Sequence, residues 1–282
     1  MNIAERQKPA PGELFLDHLA HFVPDLGAAA RLLGKLGFAV TPESAHRAQG
    51  KPAGTSNRCV MLEEGYLEIL APTLDTPNAG RVRAHMARYA GVHLACFGTP
   101  DAQAEHRRLT DHGFEPEPMV NLERTLDDGA SVRFNVVYVP PEKMPEGRVQ
   151  YVQQLTPEQI WRPEHLAHEN GVVGLEAVYV VADHPAEVAA RWARFAGLLP
   201  RAKADRIVLE TTRGRVEIAE RKVLHDLLGD APPAPALAGY ALRCSNPKRF
   251  LSRCKKAGLD VRGAAVLLPP ALGGAWQIVP IS

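Results

Sequence analysis

Apolar positions along the chain fall into one pattern that recurs four times: a short strand-like apolar run, a turn carrying Asp, Asn or Pro, then an amphipathic helical segment closing on Gly. The copies are LDHLAHFVPDLGAAARLLGKLGF from Leu16, GVHLACFGTPDAQAEHRRLTDHGF from Gly91, LEAVYVVADHPAEVAARWARFAGL from Leu175 and GYALRCSNPKRFLSRCKKAGL from Gly239. Their helices run from Asp25 to Gly37, Asp101 to Gly113, Pro185 to Gly197 and Asn246 to Gly258, a step of 12 residues each time. Asp or Asn at a helix start accepts orphan backbone N–H groups, Pro suits a first turn, and Gly leaves the helix in a left-handed conformation without Cβ strain.

Strand-like stretches follow every helix, among them NRCVMLEE and GYLEILAP in the first copy, SVRFNVVYVP and RVQYVQQL in the second, RIVLETT and RVEIAER in the third, and AWQIVPI in the fourth. The repeating unit is therefore βαβββ-like. Alternation in SVRFNVVYV and RVEIAE predicts sheets with one face on a helix and the other open to a cavity or to solvent. The steps between closing glycines, 76, 84 and 61 residues, are uneven and point to inserted loops rather than a solenoid. TPEQIWRPEHLAHENGV and GDAPPAPALAG read as connectors. Placing the boundary in the first connector predicts an α+β protein of two domains, residues 12–160 and 171–282, with two units in each.

Composition narrows the function classes. The 33 Lys and Arg balance 32 Asp and Glu in 282 residues, leaving no basic field to collect nucleic acid. No apolar run reaches the roughly 18 residues of a membrane span, and MNIAERQKPAPGELF lacks the hydrophobic stretch of a secretion signal. Cys59, Cys96, Cys244 and Cys254 form no CxxC pair, which fits a reducing compartment, and a cytoplasmic location is expected. Neither a GxSxG elbow nor a GxxxxGK[ST] loop is present.

The repeated unit, with DHLAHFVPDL at its first occurrence and GTSNRCVMLEEGYLEIL at its end, resembles the vicinal oxygen chelate superfamily, specifically its glyoxalase-like domain proteins, over nearly the whole chain. That resemblance implies paired βαβββ units whose sheets curl into half-barrels, with a divalent metal or an organic ligand held by inward side chains of the first and last strands. Carried over position by position, it places His18, seven residues before Asp25, and Glu68 as ligands in the first unit. His93 and Gln153 correspond to them in the second, Gln153 in the first or second coordination shell, with Gln154 facing the other way on a regular strand.

Two imidazoles and one carboxylate suit Fe, Mn, Ni, Co or Zn and leave positions for two vicinal oxygens of a substrate. The resemblance therefore implies an enzyme of lyase, isomerase or ring-cleaving dioxygenase type acting on a small molecule. An amide at Gln153 cannot act as the base that moves a substrate proton, which weakens a glyoxalase reaction. The competing reading is a metal-free protein that sequesters an organic ligand, as bleomycin-resistance relatives do, with His18 and His93 hydrogen-bonded in a polar pocket.

His46 and Asn57, in AHRAQGKPAGTSN, are candidate substrate-binding residues at the cavity mouth or, alternatively, parts of a turn. Arg58 and Arg133 could pair with a substrate carboxylate. His21 should face away from His18, and His165 and His168 read as solvated. In the second pair of units the equivalent positions are Glu176, Glu217, Tyr240 and Gln277, a set without imidazole in which no metal is expected; the two glutamates are either a buried carboxylate pair with one raised pKa, or exposed or salt-bridged. Partners are expected to be small molecules, with a homodimer open to the chain and neither nucleic acid nor membrane involved.

Overall fold

The computed structural model describes residues 2–48, 50–126 and 129–281. The first half comprises β1 (Phe15–Phe22), α1 (Leu26–Lys35), β2 (Ser44–Ala48), β3 (Lys51–Met61), β4 (Tyr66–Pro72), α2 (Pro77–Met86), β5 (Gly91–Gly98), α3 (Ala102–Asp111), β6 (Val120–Thr125), β7 (Ser131–Tyr138) and β8 (Arg148–Gln154). The second comprises α4 (Pro163–Leu166), β9 (Val172–Val181), α5 (Pro185–Ala196), β10 (Pro200–Lys203), β11 (Arg206–Glu210), β12 (Arg215–Ala219), α6 (Arg221–Leu228), β13 (Ala236–Cys244), α7 (Pro247–Lys256), β14 (Asp260–Arg262), β15 (Ala265–Leu267) and β16 (Ala275–Pro280).

The helix starts are built as their residue types require. Asp25, Asp101 and Asn246 accept the backbone N–H groups of Ala28, Ala104 and Arg249, and α5 ends at Gly197 with φ +67°. In each half the first strands of the two units run antiparallel, and each pairs in parallel with the last strand of its own unit. The first half closes completely, in the order β1-β4-β3-β2-β6-β7-β8-β5, because β2 meets β6 at Arg47↔Glu123 and Ala48↔Leu122. The second half stays an open sheet, β10-β11-β12-β9-β13-β16-β15-β14.

Their helical faces share one core. Leu33 of α1, Leu109 of α3, Trp192 and Phe195 of α5 and Phe250 of α7 are buried together with Leu19, Phe97, Tyr151 and Trp276 from both sheets. Burying a side chain such as Leu33 stabilises by about 1.5–3 kcal/mol. The opposite face of the open sheet, carrying Ala177, Tyr179 and Val181, is covered by Leu224 and Leu228 of α6. His168, expected in solvent, instead binds the Met61 carbonyl at 2.6 Å and accepts the Ala39 N–H at 3.0 Å, tying the connector to the barrel.

His21 faces away from His18, as alternation requires, but the surface it meets is the second sheet. Its Nδ1–H donates to the Leu272 carbonyl at 3.1 Å, so Nε2 accepts from the Tyr240 hydroxyl at 2.9 Å. Burial lowers its pKa from 6.5 to about 4. On acidification the unfolded chain takes this proton first, so stability present above pH 6.5 is lost as pH falls toward 4. Replacing His21 by Phe should reduce the slope of unfolding free energy against pH in that window by up to one proton, about 1.4 kcal/mol per pH unit. Urea melts at several pH values test this, and an unchanged slope would contradict the assignment.

Candidate functional site

Strand alternation sends one set of barrel side chains inward, around a cavity of about 360 Å³. The wall from the first unit is polar, with His18, His46, Thr55, Asn57 and Glu68; the wall from the second is mostly apolar, with Leu94, Val120, Leu122, Phe134, Val136 and Val152, joined by Tyr138, Arg148 and Gln150. The first turn of α2, Thr76 to Asn78, lines the cavity together with Ile160, whose neighbour Trp161 donates to the Leu62 carbonyl and sets its ring edge against Tyr66. Gly65 makes the β3–β4 turn at φ +80°, and a Cβ there would lie 2.6 Å from the Asp17 carbonyl oxygen, so the turn that delivers Tyr66 and Glu68 tolerates no side chain.

Asp17 is the extra residue of a bulge in β1, between Leu16↔Phe97 and His18↔Cys96. Fully buried, its carboxylate contacts His18 Nδ1 at 2.7 Å and accepts from Gln154 Nε2 at 3.3 Å. Burial alone would lower the His18 pKa, yet Cys96 and Asp17 outweigh it and raise it well above 6.5. The Asp17 carboxylate, hydrogen-bonded to Nδ1, is one of the groups that favour the charged form of His18. Tyr66 stacks on the imidazole at 4.3 Å.

His18 Nε2 lies 4.0 Å from Glu68 Oε2, and His46 Nε2 lies 3.7 Å from Glu68 Oε1. Asn57 Nδ2 donates to the same Oε1 at 2.7 Å, and His46 Nδ1 shares a 3.0 Å hydrogen bond with Thr55. Across the cavity, buried Gln150 Oε1 has no hydrogen-bond partner among the described residues. The arrangement offers a ligand the imidazole of His18, whose pKa is raised, a carboxylate at Glu68, and the amide oxygen of Gln150.

His18, Glu68, His46 and Asn57 thus come together, whereas His93 does not join them. It is the extra residue of a bulge in β5, between Ala20↔Leu94 and His21↔Val92, and packs between Phe22, His85 and Tyr89 with Nε2–H on the Tyr89 carbonyl at 2.9 Å. Burial lowers its pKa to about 3. Counting seven residues back from the cap Asp101, as His18 is counted from Asp25, arrives at Leu94, and Leu94 lines the cavity.

Neither Gln153 nor Gln154 lines the cavity. Gln153 donates to the Pro100 carbonyl and accepts from Asn135, outside the cavity, while Gln154 binds Asp17. Register makes Gln150 the counterpart of Glu68, since Ala20↔Glu68 in the first unit matches Cys96↔Gln150 in the second. Arg58 binds the Thr41 carbonyl and Arg133 is exposed, so neither lines the cavity. Sequence reasoning missed Asp17, Tyr138, Arg148 and Gln150; counting from the helix caps would have found Leu94, but no local pattern announces the bulge at Asp17.

The donor set was tested against a divalent ion. Four inward strand positions would face one metal, and they hold His18, Glu68, Leu94 and Gln150, with a hydrocarbon where an imidazole is needed. Among the described residues no three His, Cys, Asp or Glu side chains gather at metal-binding spacing. The residues present do not fit the group. In the second half, Glu176 is paired with Arg215, Glu217 lies 2.6 Å from Arg215 and 3.1 Å from Arg206, Tyr179 binds Gln277, and Tyr240 is engaged by His21. The salt-bridged alternative is the one present for both glutamates.

Paired βαβββ units curled around a ligand-sized cavity define a vicinal-oxygen-chelate type of protein. The family model for a glyoxalase-like domain matches residues 16–196, and the chain belongs to that family. A search of curated proteins found no match. Among solved structures, a hypothetical protein from Staphylococcus aureus is similar at TM-score 0.69 and 13% identity, covering 95% of this chain and 100% of that one. The Mn(II)-bound glyoxalase from Novosphingobium aromaticivorans is similar at 0.55 and 10%, over 95% and 81% of the two chains. A mutant of 4-hydroxymandelate synthase from Streptomyces coelicolor is similar at 0.56 and 14%, over 92% and 78%. At these identities the likenesses show the fold. No helix among the described residues is long and apolar enough to cross a membrane.

Replacing Asp17 by Asn removes one of the groups that raise the His18 pKa while leaving its burial intact. The His18 pKa should fall, as expected for loss of an adjacent opposite charge. NMR titration of the imidazole reads this, and a pKa that stays raised would reassign the cause.

Proposed function

We propose that the barrel is a binding chamber for a small organic molecule and that it operates without a metal ion. Leu94 carries this reading. It stands at the strand position where the second unit would supply an imidazole, and the second unit's other contribution there, Gln150, is a neutral amide. The polar wall of His18, His46, Asn57 and Glu68 suits hydrogen bonds to oxygens on one side of a ligand, and the apolar wall of Leu122, Phe134, Val136 and Val152 suits a ring or chain on the other. An enclosed volume of about 360 Å³ lies within the usual range for small-molecule sites.

Elemental analysis of protein purified without chelator or metal-affinity tag tests the metal-free reading. The parent should hold well under one equivalent of Fe, Mn, Ni, Co or Zn, with none lost on His18→Ala. Leu94→His, which restores the missing imidazole, should gain affinity for Zn or Ni. Stoichiometric metal in the parent that disappears on His18→Ala would sink the proposal and restore the chelate chemistry.

A further inference from the structure

Among the described residues, the charges lining the barrel cavity are matched with one exception. His18 is paired with Asp17 at 2.7 Å, Glu68 is shared between His18, His46 and Asn57, and Arg81 meets Glu117 at 3.1 Å. Arg148 lines the same cavity, but its contacts are the amide oxygen of Asn78 at 3.4 Å and the face of Tyr138 at 4.5 Å, with no carboxylate in an ion pair among the described residues. A guanidinium fixed over an aromatic face presents a planar fork of donors that matches a carboxylate with two parallel hydrogen bonds. The start of α2 lines the cavity beside it through Pro77 and Asn78, and first-turn N–H groups add partial positive charge.

The barrel register fixes what lies beyond that end. Arg148 pairs with Leu94, and two residues further along β8 Gln150 pairs with Cys96, which itself pairs with His18. Two residues of strand rise separate the two levels by about 7 Å. Leu94 stands at the level of Arg148, Tyr138 at that of Gln150, and Val136 and Val152 pair two residues beyond it.

Resting on the chamber reading above, we propose that the ligand is an organic carboxylate: its carboxylate is held by Arg148, its apolar body lies on the second unit's wall, and a further polar group reaches the level of His18 and Gln150. Shape alone would admit a neutral molecule equally well. The guanidinium, without a carboxylate partner among the described residues and set on a largely apolar wall, makes the anion the preferred form, because a bidentate charge-assisted hydrogen bond is stronger than a neutral one.

Isothermal titration calorimetry with matched probes tests this, using 4-phenylbutyrate against 4-phenylbutyramide and decanoate against decanamide, which share shape and differ in charge. The unmodified protein should bind each acid at least tenfold more tightly than its amide. Arg148→Gln, checked for folding by circular dichroism, should lose that preference while amide affinity stays within about twofold, and Arg148→Lys should recover part of it. Equal binding of acid and amide by the unmodified protein, or a preference that survives Arg148→Gln, overturns the carboxylate assignment while leaving the chamber intact. If neither acids nor amides bind, the chamber reading itself falls, and this inference with it.

Discussion

Closing eight strands into a barrel imposes one constraint on which everything else depends: every second residue of each strand must enter a single enclosed volume. The chemistry of the site is therefore decided by register. A shift of one position exchanges His93 for Leu94 and turns an imidazole-lined cavity into a half-apolar one. The two bulges in the β1–β5 ladder matter for the same reason. One inserts Asp17, whose carboxylate is turned to the neighbouring imidazole; the other sets His93 under α2, away from Glu68.

Burying charge in such a volume is costly unless each group is matched, and the polar wall meets this requirement as a unit. Asp17 neutralises His18, and Glu68 faces two imidazoles and an amide. Removing any member leaves a buried partner unsatisfied, so the wall resists change as a group. The apolar wall carries no such coupling. Its residues can vary in size with modest cost as long as total volume is kept, so the shape of the cavity can change while the polar face stays fixed.

The fold was legible because the signals that specify it are local. Asp25, Asp101, Asn246 and the glycines closing each helix lie within a few residues of what they control, and the fourfold repeat follows from them. The site was legible only in its first half. His18 and Glu68 fall where the repeat puts them, but Gln150 depends on how β7 and β8 pair across the Pro140 to Gly147 turn, which no periodicity encodes. His21 shows the same limit from the other side. Alternation correctly turned it away from His18, yet its partners Leu272 and Tyr240 lie 251 and 219 residues away, so the pattern could say which way it faces and not what it meets.

The two halves share a repeat and differ in how they use it. At the inward positions of the first half stand His18, Glu68, Leu94 and Gln150; register and the same count of seven from the helix start bring Ala177, Glu217, Gly239 and Gln277 to those positions in the second. Small residues at Ala177 and Gly239 leave room against the sheet, and Leu224 and Leu228 of α6 close over that face; there Gly239 has no space for a side chain, since a Cβ would sit 2.3 Å from the Ala275 carbonyl oxygen. The second sheet therefore fills with its own helix the face that the first leaves open, and its outer surface backs the barrel through Trp192, Phe195, Phe250 and Trp276. A barrel that keeps an internal cavity forgoes core packing at its centre. Burial against the second half supplies packing on the outside, which is a physical reason for the cavity-bearing half to be carried together with a half that has closed its own pocket.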